Sequence, residues 1–310
     1  MPSSSRLLFW LGLVMTVTVA AILSIGTLGR TRPPAPAAPE QPLRVGYAIQ
    51  PPHAFRDESG RLQGEAIVLM RTVMHQLGRP EPIWVHADVA ALIHELEMGR
   101  IDAIAAGLSI TPQRARRVDF SRPSAAVSPG LLVAAGNPLE LHSLSDLMSA
   151  GPARLGVLDP SAELDLAVES GLPESRLLRL GDSDLGLAAL QQGRVQALLL
   201  PLPALRWTIA RARSTPTAQP SGAPEPAEPF WMPADLAARA RSLPALAFRR
   251  GDPLRDTVDA VLARHIGSPD HRSQVRPYGF EAPQIDPVQG ERWPTPQDGT
   301  GPADARAPIP

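Results

Sequence analysis

The sequence contains no cysteine, which excludes disulfides, thiol catalysis, cysteine-ligated zinc and a lipidated N-terminal cysteine in any redox compartment. Excess charge of one sign is missing too. Thirty Lys and Arg stand against 31 Asp and Glu, a formal net charge of -1. Binding a phosphate backbone needs a local excess of cations, and no run of Lys or Arg occurs, so nucleic acid is excluded as a partner. The histidines at positions 53, 75, 86, 94, 142, 265 and 271 show no metal-ligand spacing, and no serine sits in a nucleophile-elbow motif. The residues thus offer no catalytic group, no metal centre and no cofactor site.

What is present is enough for a folded core: 310 residues, 44% of them hydrophobic. The 36 prolines concentrate at 32–42, 216–233 and 283–310, which reads as solvated linkers and a tail. Residues 7–28 carry no charge, and roughly 20 apolar residues cross a bilayer as a helix. That segment reads as an uncleaved transmembrane helix. The competing reading is a cleaved signal peptide, for which Ser24-Ile25-Gly26 and Ala35-Pro36-Ala37 are poor cleavage sites.

From residue 43 onward strand and helix patterns alternate. Leu43 to Tyr47 is a strand; Ile67, Met70, Val73, Met74 and Leu77 then recur at helical spacing; Ile83 to Val85 and Ile101 to Ala106 are further strands around a second helical stripe. Short links between such elements imply right-handed βαβ units. The pattern restarts after Leu131: Ser143 and Asp146 form a capping box, residues 154–158 and 195–200 are strands, and Pro201 with Pro203 breaks the ladder. A late strand at 246–248 and a helix opened by Asp252-Pro253 return to the first lobe. The expected organisation is an anchor or signal segment at 1–29, a linker at 30–42, lobe one at 43–128 and 246–282, lobe two at 129–245 with an exposed excursion at 214–229, and a disordered tail at 283–310. Crossings near 130–135 and 245–249 would form a hinge over an interlobe cleft.

The sharpest local constellation runs from Ala105 to Arg114. Thr111 can cap a helix whose first residue is Pro112, so free backbone N–H groups face whatever precedes them. Arg114 in the first turn could grip a carboxylate with its planar fork, near the amides of 107–111; the plain alternative is a capped helix with a solvated arginine. His53 is either a ligand group or an ordinary loop histidine beside prolines. Ser161 could donate to a ligand across the cleft or serve only as an N-cap. Glu65 reads as an acid favourably placed at a helix start.

Gly99-Arg100-Ile101-Asp102-Ala103, the segment through Arg114, and Val118-Asp119-Phe120-Ser121-Arg122-Pro123 resemble the family-3 periplasmic solute-binding proteins of amino-acid-type ABC importers. Gly64-Glu65-Ala66, Gly136-Asn137-Pro138 and Gly171-Leu172-Pro173-Glu174-Ser175 look more narrowly like the ectoine and hydroxyectoine-binding branch. The resemblance implies a two-lobed α/β fold of the type II periplasmic-binding-protein kind with hinge and cleft. It also implies a small-molecule solute and ABC transporter permease subunits as partners, and a place on the periplasmic side of the inner membrane. In that family the arginine matched by Arg114 holds the ligand carboxylate, helped by groups matched by Gly107, Ser109 and Thr111. An acidic residue for the α-amino group is matched by Pro201, which has no side-chain acceptor. Aromatic and acidic groups of the ectoine branch are matched by His53, Ser109, Val89 and Gln50, of which only Gln50 and His53 can partly substitute. Two other functions stay open: the sensing module of a signalling or envelope protein, and an enzyme on the same fold using His53 as its acid.

Overall fold

The computed structural model describes residues 41–159, 161–214 and 222–289. Two five-stranded sheets organise them. The first has the order β4-β1-β5-β12-β6, with β1 at Arg44–Tyr47, β4 at Ile83–His86, β5 at Ala103–Ser109, β6 at Val118–Phe120 and β12 at Pro244–Arg249. A two-stranded ribbon, β2 (Phe55–Arg56) with β3 (Leu62–Gln63), stands apart from it. β4, β1 and β5 are parallel, whereas β12 is antiparallel to both β5 and β6. Helix α1 (Glu65–Gln76) turns its apolar stripe inward, burying Ile67, Met70, Val73 and Met74, and α2 (Val89–Glu97) buries Leu92, Ile93 and Leu96. Each large side chain so withdrawn contributes roughly 1.5–3 kcal/mol.

The second sheet has the order β11-β7-β10-β8-β9. Its strands are β7 at Pro129–Val133, β8 at Leu155–Leu158, β9 at Leu177–Leu180, β10 at Ala197–Pro201 and β11 at Glu225–Pro226. Here β10, β8 and β9 are parallel, and β7 is antiparallel to β10 and β11. The short helix α3 (Pro112–Ala115) belongs to the first lobe; α4 (Leu144–Ser149), α5 (Ala162–Glu169), α6 (Ser183–Gln191), α7 (Leu202–Ser214) and α8 (Ala234–Arg239) accompany the second sheet. The chain then returns to the first with α9 (Leu254–His265), α10 (Pro269–Val275) and α11 (Ala282–Ile285).

The chain passes between the sheets at 121–128 and 240–243, ahead of the expected crossings at 130–135 and 245–249, which are β7 and β12 themselves. The two passing segments pair with each other: Val127 and Ser242 exchange two backbone hydrogen bonds of 2.8 Å.

The ladder of β10 ends at Pro201, where the sequence places its break, and helix α7 follows directly because Pro203 occupies its first turn, where a missing N–H breaks no intrahelical bond. Two stretches read from sequence as linkers are structured. Of the supposed excursion, residues 215–221 lie outside the described residues. The rest supplies the edge strand β11, with Pro224 and Ala227 buried and the Ala227 N–H donating to the Leu131 carbonyl at 2.8 Å. An edge strand accepts proline because one of its sides needs no partner. The tail also starts later than residue 283: Ile285 and Val288 are 1% and 0% exposed in the first lobe's core. Residues 7–28 and the linker up to 40 lie outside the described residues; among those described, no helix is long and apolar enough to cross a membrane.

Candidate functional site

Parallel strands send the loops that follow them out at one end. In the first sheet these are residues 48–54 after β1, 87–88 after β4 and 110–111 after β5. That end adjoins a crossing segment, since Ser109 pairs with Pro244 and the Ile110 N–H donates to the Leu243 carbonyl at 3.0 Å. In the second sheet, Pro201 at the end of β10 pairs with Pro129 at the start of β7, and the Leu202 N–H donates to the Ser128 carbonyl at 3.0 Å. The carboxyl ends of β8, β9 and β10 therefore adjoin the other crossing segment. Both sheets turn their carboxyl ends toward the hinge, the position where ligands bind in open α/β sheets.

His53 is fixed from several sides in the first lobe. Its Nδ1 lies 2.8 Å from Glu65 Oε2, and its ring stands edge-on to Phe280 with centroids 5.5 Å apart. Two glycines make room for it. A Cβ on Gly107, at φ +66°, would stand 2.1 Å from His53 Cγ; one on Gly64, at φ +127°, would stand 2.2 Å from the His53 carbonyl oxygen. Neither position tolerates a side chain without moving the histidine. Glu65 is 1% exposed, and its Oε1 has no hydrogen bond. Burial pushes its carboxyl up, but the hydrogen bond and charge of His53, the nearby Ser124 hydroxyl and the charge of His271 outweigh it and leave the pKa below the ordinary value. Glu65, read from sequence as an acid at a helix start, is thus the partner of His53. Gln50 begins the same turn: its carbonyl accepts from the His53 N–H at 2.9 Å, and its residue is exposed.

Ser109, Thr111 and Arg114 form a second group. Thr111 caps α3, its hydroxyl accepting from the Arg114 N–H at 3.2 Å, with Pro112 in the first turn. The Ser109 hydroxyl meets Ser242 Oγ at 2.5 Å, tying the end of β5 to the crossing segment. Ser242, 133 residues away, gave no sequence signal. The Arg114 guanidinium does reach this loop, but its contact there is the Ser109 carbonyl, at 3.0 Å, and not the loop amides. Burial pushes its pKa below the ordinary value. No carboxylate among the described residues forms an ion pair with it, whereas Arg44, Arg122 and Arg255 each have an aspartate within 3.2 Å.

In the second lobe Ser161 caps α5, its hydroxyl accepting from the Leu164 N–H at 3.1 Å. The cap role is therefore filled, at a helix start that follows β8 on the hinge side. Beside it Glu163 is 6% exposed, a residue that no motif in the sequence singles out. The structure brings His53 against Gly107, and Ser109 and Thr111 against Arg114, and places Ser161 on the facing lobe. No group of His, Cys, Asp and Glu among the described residues is arranged to hold a metal.

Residues 43–274 match the bacterial extracellular solute-binding proteins, family 3. A probable amino-acid ABC transporter periplasmic-binding protein of Sinorhizobium fredii is 26% identical over 241 residues, 77% of each chain. The lysine/arginine/ornithine-binding periplasmic protein of Escherichia coli is 29% identical over 165 residues, 53% of this chain and 62% of that one. Among solved structures, EhuB in complex with hydroxyectoine superposes with a TM-score of 0.62 at 30% identity, covering 77% of this chain and 89% of that chain.

Proposed function

The chain belongs to family 3 of the bacterial extracellular solute-binding proteins, and from that premise we propose that it captures a small polar or zwitterionic carboxylate of the amino-acid or ectoine kind. It hands the solute to the permease subunits of an ABC importer and performs no chemistry on it. Lobe one presents Arg114 as the carboxylate receptor, with Gly107, Ser109 and Thr111 shaping the loop around it. Gln50 and His53 line the adjoining turn, and Ser161 approaches from lobe two. Residues 7–28 hold the protein to the periplasmic side of the inner membrane.

The single observation that carries this reading is Arg114: a half-buried guanidinium at the hinge-facing end of a lobe, with no carboxylate among the described residues paired to it. A desolvated cation gains most from an anion that arrives in its fork geometry. Calorimetry against amino acids, ectoines, betaines and simple carboxylates identifies the tightest solute. Arg114→Ala should then weaken it by about 2–5 kcal/mol, roughly 30-fold or more, while circular dichroism stays native. Equal affinity in the variant would remove the carboxylate assignment, and no binding to the parent protein would remove the solute-binding reading.

A further inference from the structure

The two ring nitrogens of His53 stand in different surroundings. Nδ1 lies 2.8 Å from Glu65 Oε2, inside the lobe. Glu65 is 1% exposed and its carboxyl pKa lies below the ordinary value, so at neutral pH it is a carboxylate, which can only accept. The proton between the two groups therefore belongs to Nδ1, and the neutral ring carries its lone pair on Nε2. Nε2 has no hydrogen-bond partner among the described residues, yet it is not sealed off as the Nε2 atoms of His265 and His271 are, and 14% of the His53 side chain stays exposed. A Cβ on Gly107 would stand 2.1, 2.4 and 2.5 Å from His53 Cγ, Nδ1 and Cδ2, so the Gly107 backbone lies against the Cγ end of the ring, the end away from Nε2. Both the turn at 48–54 and the last residues of β5 are at the hinge-facing end of the lobe. The lone pair of Nε2 is thus offered to solvent at that end.

We propose that Glu65 is a positioning residue that locks His53 in the Nδ1–H tautomer, so that Nε2 accepts a hydrogen bond from an O–H or N–H group of the solute. The assignment rests on the reading of this loop cluster as the solute site. The other groups placed there are mostly donors or already occupied: Arg114 has no acceptor, the Ser109 hydroxyl meets Ser242, and the Thr111 hydroxyl accepts from the Arg114 N–H. Gln50 can accept too, but it is exposed, whereas His53 is fixed by Glu65, Gly107 and Phe280. A solute that carries a donor beside its carboxylate satisfies the lone pair; one without a donor leaves it desolvated and unpaired. Without the carboxylate behind the ring, the proton can sit on Nε2 and the same histidine presents a donor instead. Glu65 thereby selects the class of solute without touching it.

The test reads the tautomer and the selectivity separately. Two-bond proton–nitrogen NMR spectra of histidine-labelled protein at about pH 8.5, above the range in which imidazoles ordinarily titrate, distinguish a protonated ring nitrogen from a bare one. The His53 signals, assigned by their loss in His53→Gln, should show a protonated Nδ1 and a bare Nε2. Glu65→Met, apolar and of similar length, should move the proton to Nε2; Glu65→Gln, whose amide oxygen can still accept from Nδ1–H, should restore it in part. At the same pH, calorimetry compares L-glutamine with 4-carbamoylbutanoate and L-malate with succinate, pairs that differ only in the donor. The parent protein should prefer the donor-bearing member of at least one pair by about tenfold or more. Glu65→Met should bring that preference to within about twofold of parity and keep the donor-free acid within about threefold of its parent affinity, with Glu65→Gln in between. A role in stability alone would weaken both members alike and leave the preference intact. If Glu65→Met lacks native circular dichroism, the parent spectrum and Glu65→Gln decide, and Glu65→Gln must shrink the preference. A parent His53 with a protonated Nε2, a parent protein without the preference, or a preference unchanged in the variants overturns the assignment and leaves the solute-binding reading standing. A parent protein that binds none of the four solutes overturns the assignment together with that reading.

Discussion

Cutting the buried pair from each side in turn should show that His53 and Glu65 act as one unit. Glu65 is 1% exposed and already has one oxygen without a hydrogen bond; the other lies 2.8 Å from His53 Nδ1. His53→Ala therefore leaves a buried carboxylate without its main donor, and stranding a buried charge by removing its partner costs about 3–5 kcal/mol. At about 2–4 °C per kcal/mol for a domain of this size, Tm should fall by about 6–20 °C. Glu65→Ala is gentler, because the His53 side chain is 14% exposed and can hydrogen-bond water; the lost bond and the void cost about 1–3 kcal/mol. With both residues replaced no charge is stranded, so the double variant should be more stable than the sum of the singles implies by about 2–3 kcal/mol. Urea unfolding of the four proteins, followed by circular dichroism, measures that coupling. Additivity within about 0.5 kcal/mol would refute the reading of Glu65 as the group that holds His53 in place.

The contact between these two residues also marks how far the sequence could be read. Strands and helices were legible where apolar residues kept their period: Ile67, Met70, Val73 and Met74 announce α1, and the buried run at Ala103 to Ala106 announces β5. The Thr111-Pro112 start of α3 and the Arg114 beside it were legible because capping is a local affair. Proline misled in two places, at β11 and α11, since its meaning depends on whether the position is a first turn, an edge or an interior. The site resisted for another reason. His53 meets Glu65 and Gly107 only because Gly64 and Gly107 adopt positive φ and leave space, and Ser109 meets Ser242 only after the chain has crossed between lobes and returned. Such contacts are products of topology, and no spacing in the sequence records them.

The charge-free run at residues 7–28 should keep the protein in the membrane fraction, released by detergent and not by salt; a mature N-terminus between Gly26 and Glu40 in mass spectra would overturn the anchor. His271 sets a second expectation, for stability against pH. It is 1% exposed, its Nδ1 accepts from the Gly267 N–H at 3.2 Å, and its Nε2 has no partner. Burial, joined by the charges of His265 and Arg272 and opposed by Glu65, pushes its pKa from 6.5 down to about 4. Between those values the unfolded chain binds the proton that the folded protein refuses, so stability is full above about pH 6.5 and is lost as pH falls toward 4. At about 1.4 kcal/mol per pH unit the contribution is about 3 kcal/mol, and His265, whose pKa is also lowered mainly by burial, acts in the same direction. Glu65 stays out of this window down to about pH 4.5, because its folded pKa lies below its ordinary value. Urea midpoints from pH 7 to 4.5 should therefore fall steeply in the parent protein and less steeply in His271→Gln, whose amide oxygen can still accept from Gly267. An equal slope in the two proteins would mean that His271 is protonated in the folded state, and that burial does not keep it neutral.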